Sequence, residues 1–377
     1  MKINRKRLPV FLICFFVTIL YFTEIFCGSE PQPIKLGFVG PLTGRLSDLG
    51  TAGRNGVILA VKEVNSEGGI NGRQILLLTR DDKSDPERAI QVDRELIEEG
   101  VVAIIGHMTS SMSMAAVSLI NSEKVVMMSP TTTTDELTGI DDYFFRTTNP
   151  SRLQTDHLSE YIARQMDLRR VAVIYDLSNR AFSEKLYNNF RYSYEKLGGE
   201  VTDVRTFTSG VPESFYNLVK LLLSGEPDCI FIITGALDAA LICQQVRKLN
   251  TDIPIVSSAW AMTSILIKNG GPAVEGVIFS MPTDDESQNE NFLKFQKDYR
   301  NRFGSEPSFA AIYSYEAARV ILEALLIDDS PENLKDTILN FNEYQGLQGD
   351  LRIDRFGDTA RSHYIKNIKD GRFRILE

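Results

Sequence analysis

The run VVAIIG at residues 101–106 starts directly after Gly100 closes a helical pattern, and it carries no polar face. A strand apolar on both sides must be covered on both sides, which is the situation inside a parallel sheet. Short β-branched runs alternate with helical patterns along most of the chain, so the fold is α/β, with helices on both faces of parallel strands. Strands are predicted at 34–39, 74–80, 101–105, 125–128, 171–175, 229–234, 253–257 and 276–280. Between two of them, Asp85 reads as an N-cap and Pro86 as first-turn chemistry, with Ala89, Val92, Leu96 and Ile97 at helical spacing.

The alternation runs twice. One set of strands precedes YFFRTTNPSRLQ, and a second opens at RRVAVIYD after a helix from Ser151. Asn149 and Pro150 interrupt the pattern and mark a crossing between two units. A second crossing is read at FSMPTDDESQNE, and the tail returns to β patterns at GDLRIDRFGD and SHYIKNIKDGRFRIL. The expectation is two doubly wound lobes with a cleft between them. Residues 34–148 with 281–345 form the first lobe, and 149–280 with 346–377 the second.

Ahead of these lobes, Lys2, Arg5, Lys6 and Arg7 precede an apolar run from Leu8 to Phe22, the pattern of a secretory signal over residues 1–27. Cys27, followed by Gly28 and Ser29, offers a lipidated first residue, although Glu24, Ile25 and Phe26 are not the small residues of a lipobox. Cleavage without lipid and a retained anchor are the other readings. The net charge of -9, with no Lys/Arg block beyond the leader, argues against a nucleic-acid surface. Cys229 falls in a strand pattern and Cys243 in a helix, so both read as small buried hydrophobes with no disulfide framework.

Ligands of open parallel sheets sit beyond the carboxyl ends of strands, where helix starts point free N–H groups outward. Two hydroxyl clusters fall there. Ser110 and Ser111 follow VVAIIG and open a helix, and Thr131, Thr132 and Thr133 follow VVMMSP. Such amides and hydroxyls suit a carboxylate, while capping and turn formation are the local alternative. GFVGPLTGRLSDLG lacks the G-x-G-x-x-G spacing, so it reads as a cleft-rim loop carrying Leu49 and not as a dinucleotide fingerprint. Trp260 and Phe182 each follow a strand and lie at the same level. The three histidines show no metal-ligand pairing, and no G-x-S-x-G elbow is present, so no catalytic site, metal or cofactor is expected.

These stretches resemble the leucine/isoleucine/valine-binding protein family, the solute-binding subunits of branched-chain amino-acid type ABC transporters. The resemblance runs through IKLGFVGPLTG, NGVILAVKEVNSEGGINGRQILLLTRDDKSDPERAI, IIGHMTSSMSMA, MMSPTTTTDELT, FFRTT and AVEGVIF. It implies a type I periplasmic binding protein, α/β, whose two doubly wound lobes close on a ligand at a three-stranded hinge. It further implies a periplasmic monomer that hands its solute to permease subunits in the inner membrane. A ligand-sensing protein feeding a receptor is the alternative. By the same resemblance Ser110, Thr131, Thr132 and Thr133 hold the ligand's carboxylate.

The second lobe departs from the family pattern. Phe182 or Ala181, Ala236 and Trp260 stand where amino-acid-binding members place tyrosines and an ammonium-binding glutamate. A buried ammonium without a partner is costly, so a carboxylate with an apolar or aromatic body is expected ahead of an aliphatic amino acid. Asp238, Asp284 and Asp285 are the candidates to supply a charge if the ligand does carry an amine. Ser84 and Thr109 occupy the places of a family disulfide.

Overall fold

In the computed structural model, residues 31–250 and 252–376 are described, so the signal segment and Cys27 lie outside the described residues. β1 (Ile34–Gly40), β2 (Ile75–Asp81), β3 (Ala103–Ile105), β4 (Val126–Ser129) and β5 (Phe144–Arg146) form a parallel sheet in the order β2-β1-β3-β4-β5. This is a doubly wound sheet whose order reverses between β1 and β3. The same order returns in the second sheet. There β6 (Arg170–Asp176), β7 (Glu200–Phe207), β8 (Cys229–Ile233), β9 (Ile255–Ser257) and β10 (Ile278–Met281) run β7-β6-β8-β9-β10.

Two elements extend this plan. A short hairpin of β11 (Glu343–Gly346) and β12 (Gly349–Arg352) is tied to first-lobe helices, with Leu347 N donating to Glu316 and Tyr344 OH to Ile338 O. The chain then returns to add β13 (Tyr364–Lys369) antiparallel to β10 and β14 (Arg372–Ile375) beyond it. Asp370 and Gly371, both at positive φ, turn that last hairpin.

The core strands are buried along their whole length, from Val171 to Ile174 and from Cys229 to Ile233. β5 and β7 escape the strand pattern in the sequence. β5 has only three residues, and β7 is an edge strand carrying Asp203 and Arg205, whose charges blunt a free edge. Cys229 and Cys243 are buried and unbonded, and burial raises both thiol pKa values, that of Cys243 to about 12.

Two helices of the first lobe pack closely on each other. α1 (Ser47–Ser66) lies against the later helix Phe309–Ile327, and a Cβ on Gly56 would come within 2.2 Å of Ala311 O. At the switch point, Gly106 takes φ +147°, and a Cβ there would meet Val39 O at 2.5 Å. Only glycine lets these backbones approach so closely. The chain passes between the lobes three times, at residues 147–150, 282–289 and 353–363.

Candidate functional site

The carboxyl ends of the two sheets face each other across one cavity, lined by Leu49, Ser110, Thr131 and Thr133 on the first-lobe side and Asn179, Phe182 and Trp260 on the other. Ser110 opens α3 (Ser110–Glu123) just after β3. Its Oγ accepts from the amides of Thr133 and Thr134, each at 3.3 Å. Thr109, the N-cap, makes no side-chain cap bond. The first-turn amides of α3 have no partner inside the helix, and they carry the positive end of its dipole.

The threonine run divides by alternation, as an extended segment must. Thr131 and Thr133 line the cavity, whereas Thr132 and Thr134 turn into the lobe. Thr132 is fully buried, and its hydroxyl shares a 2.7 Å hydrogen bond with Ser113 Oγ. Thr134 accepts from Glu136 N and caps the turn Asp135–Leu137. Thr131 Oγ1 donates to Met108 O at 2.6 Å, while Thr133 Oγ1 is buried with no hydrogen-bond partner. One run therefore does both jobs, bonding inside the lobe at Thr132 and Thr134, of which Thr134 caps a turn, and facing the cavity at Thr131 and Thr133.

Behind this wall, His107 is fully buried between two carboxylates, with Nδ1 2.9 Å from Asp82 and Nε2 3.2 Å from Asp93. Burial opposes its protonation, but the charges and hydrogen bonds of Asp93 and Asp82 outweigh it and raise the pKa to about 10. The carbonyl of His107 accepts from Ser129 Oγ at 2.7 Å, so the ion cluster fixes the loop that presents Ser110. It also links the Ser84 and Thr109 segments, where the family resemblance places a disulfide.

On the opposite wall, Phe182 belongs to the first turn of α5 (Arg180–Lys196), and Trp260 sits in the turn after β9. Their rings meet edge to face, 5.5 Å between centroids and 83° between planes. Ala236 does not line the cavity. It is buried at the start of α7 (Ala236–Leu249), beside Gly235, against which the indole lies. Asp238, Asp284 and Asp285 do not line it either. Asp238 pairs with Arg45 and accepts from Ser209 at the rim, Asp285 pairs with Lys366 at 2.7 Å, and Asp284 caps its own turn at Glu286 N. Among the described residues that line the cavity there is no carboxylate and no Lys or Arg.

The crossovers make the floor, through Thr148, Asn149, Pro282 and His363, and the helix Phe309–Ile327 adds Phe309 and Tyr313. None of these was legible as a site residue. The only signal was the break at Asn149 and Pro150. Asn149 exchanges two 2.7 Å hydrogen bonds with the backbone of Arg361 and donates to His363 Nδ1 at 3.4 Å. Burial, with His157 nearby, lowers the His363 pKa to about 4, so this histidine is neutral at physiological pH.

The two lobes are bridged across the mouth of the cleft. Ser111 N donates to Asn179 Oδ1 at 3.0 Å, Ala181 N donates to Ser111 Oγ at 3.2 Å, and Thr263 Oγ1 donates to Asp48 at 2.7 Å. Arg45 bridges the same gap to Asp238. Two facing lobes of one topology, three crossovers and a cavity between strand ends define a type I periplasmic binding protein.

The sequence model of the family described as periplasmic binding protein matches residues 33–372, and the chain belongs to that family. It is similar to the Leu/Ile/Val-binding protein homolog 2 of Brucella abortus (strain 2308), at 26% identity over 359 residues, which covers 93% of this chain and 95% of that protein. The branched-chain amino acid transporter substrate binding protein of Streptococcus pneumoniae, solved with isoleucine, is 25% identical with a TM-score of 0.84, covering 91% of this chain and 99% of its own. An R. palustris ABC-transporter solute binding protein in complex with benzoate shares the fold, with a TM-score of 0.83 at 19% identity and coverage of 91% and 95%. The chain is thus an extracytoplasmic solute-binding protein of the branched-chain amino-acid ABC-transporter type, and its relatives are binding proteins and not enzymes.

Proposed function

We propose that this protein captures a small carboxylate with an apolar or aromatic body by closing its lobes, and delivers the closed complex to a membrane permease. The observation that carries the reading is the division of the cavity. One wall offers the Thr133 hydroxyl and the first turn of α3, and no lining residue among those described is acidic. A carboxylate is satisfied there by charge-assisted hydrogen bonds without a cation. An α-ammonium group would be buried with no counter-charge. The Phe182–Trp260 pair supplies an apolar wall for the rest of the ligand. That the fold also serves other carboxylates is seen in the benzoate complex of the R. palustris protein. Six of the residues proposed to contact the ligand are Ser110, Thr131, Thr133, Leu49, Phe182 and Trp260.

Isothermal titration with paired ligands tests this. Benzoate and 3-phenylpropanoate are compared with their primary amides, and with phenylalanine and leucine. The expected result is binding of an aromatic acid, loss of that binding in its amide, and weaker binding of the amino acids. Equal binding of acid and amide, or preference for leucine, overturns it.

A further inference from the structure

Two hydroxyls of the cavity lining are buried and lack any hydrogen-bond partner in the protein. Thr133 Oγ1 belongs to the carboxylate wall, and Tyr313 OH belongs to the floor. Tyr313 is 1% exposed and stands on the helix Phe309–Ile327, one turn after Phe309, whose ring it meets at 6.3 Å. A buried hydroxyl left unpaired carries its full desolvation cost, and such groups in native proteins are rare. The cavity is the space in which a partner for this one can sit.

We infer that Tyr313 is a second ligand anchor, a hydrogen-bond donor to an oxygen that the ligand carries at a distance from its carboxylate. Three observations define the chemistry of that oxygen. First, the Arg361 guanidinium, paired with Glu316 at 2.6 Å, lies 5.0 Å from the centroid of the Tyr313 ring. A cation on the ring withdraws electron density and makes the phenol a better donor. Second, burial raises the Tyr313 pKa far above its ordinary value, so the group stays a neutral O–H that cannot repel an acceptor by its own charge. Third, the neighbouring floor is also neutral: Asn149 is committed to Arg361, and His363 is uncharged. The Arg361 and Glu316 charges next to it are already spent on each other, and the cavity lining itself offers a second carboxylate no cation and an ammonium no anion. The group that fits is a neutral oxygen acceptor, such as a hydroxyl, ether or carbonyl, on the apolar body of the acid.

This assignment rests on the carboxylate reading, and one experiment separates the two. Wild type and Tyr313→Phe are titrated calorimetrically with 3-phenylpropanoate and its three monohydroxylated ring isomers. Wild type should bind at least one isomer roughly tenfold or more tightly than the parent acid. Tyr313→Phe should erase that advantage and leave the parent's affinity within about twofold, since only an oxygen is removed. The unliganded variant should unfold at the wild-type temperature or above it, because an unpaired buried polar group has been deleted. If wild type binds all four acids alike, or the variant keeps the preference, the Tyr313 assignment is wrong and the carboxylate reading stands. If none of the four binds wild type, the carboxylate reading falls and this assignment with it.

Discussion

Ser111 of the first lobe and Asn179 of the second are joined by a 3.0 Å hydrogen bond, the backbone amide of one meeting the side-chain oxygen of the other across the mouth of the cleft. The bond exists only when the lobes are together. It therefore contributes to the closed state alone and shifts the open-closed equilibrium by its own free energy.

Asn179→Ala should favour the open form. The expected outcome is a larger radius of gyration by small-angle scattering at subsaturating ligand, and a several-fold faster dissociation rate. An unchanged dissociation rate would mean that Asn179 adds nothing to closure.

The threonine run allows a paired test. Thr133→Val removes the cavity-facing hydroxyl and should abolish ligand-induced thermal stabilisation while leaving the unliganded protein intact. Thr132→Val leaves Ser113 Oγ without its 2.7 Å partner and should cost about 1–3 kcal/mol of stability while keeping ligand affinity. Swapped phenotypes would reverse the assignment of the two neighbours.

His107 makes stability depend on pH in a stated direction. Its folded pKa of about 10 lies above the ordinary 6.5, so the native state holds the proton more tightly. The stabilisation is full below about pH 6.5 and is lost as pH rises through 10. Denaturant unfolding between pH 6 and pH 10 should show this decline in wild type. The decline should be absent in His107→Gln, which is less stable at pH 6.

Trp260 is the only tryptophan in the chain and it lines the cavity. Emission of the protein should therefore shift or quench in saturable fashion on ligand binding. Trp260→Leu should lose both the signal and most of the preference for aromatic acids over aliphatic ones. Binding that leaves the emission untouched would place the ligand away from the indole.

The parallel strands were legible because a doubly covered strand is apolar throughout, as CIFII is, and the first-lobe wall because hydroxyls cluster beyond strand ends. β7 was hidden by the polar alternation of an edge. Which threonines face the cavity depends on where the extended segment leaves β4, and no local pattern states that. The family resemblance places Ala236 in the second-lobe wall, but Ala236 does not line the cavity, and the indole of Trp260 lies against its neighbour Gly235. Asn149, His363 and Tyr313 come together from crossovers and a helix end with no periodicity, so their meeting is a tertiary event.

Asn149 and the backbone of Arg361 hold each other by a pair of reciprocal bonds, so the first and third crossovers are riveted side by side. Lys366 binds Thr283 of the second crossover at 3.0 Å, and Gln154 binds Ser280 O just before it at 2.9 Å. The three bridges of chain are therefore tied to one another or to the strand and helix that adjoin them. Asn149 and His363, on the first and third bridges, also form the cavity floor. A solute proposed to occupy the cavity would thus touch the connecting chain as well as both walls, so the same residues that join the lobes would sense whether the cavity is filled.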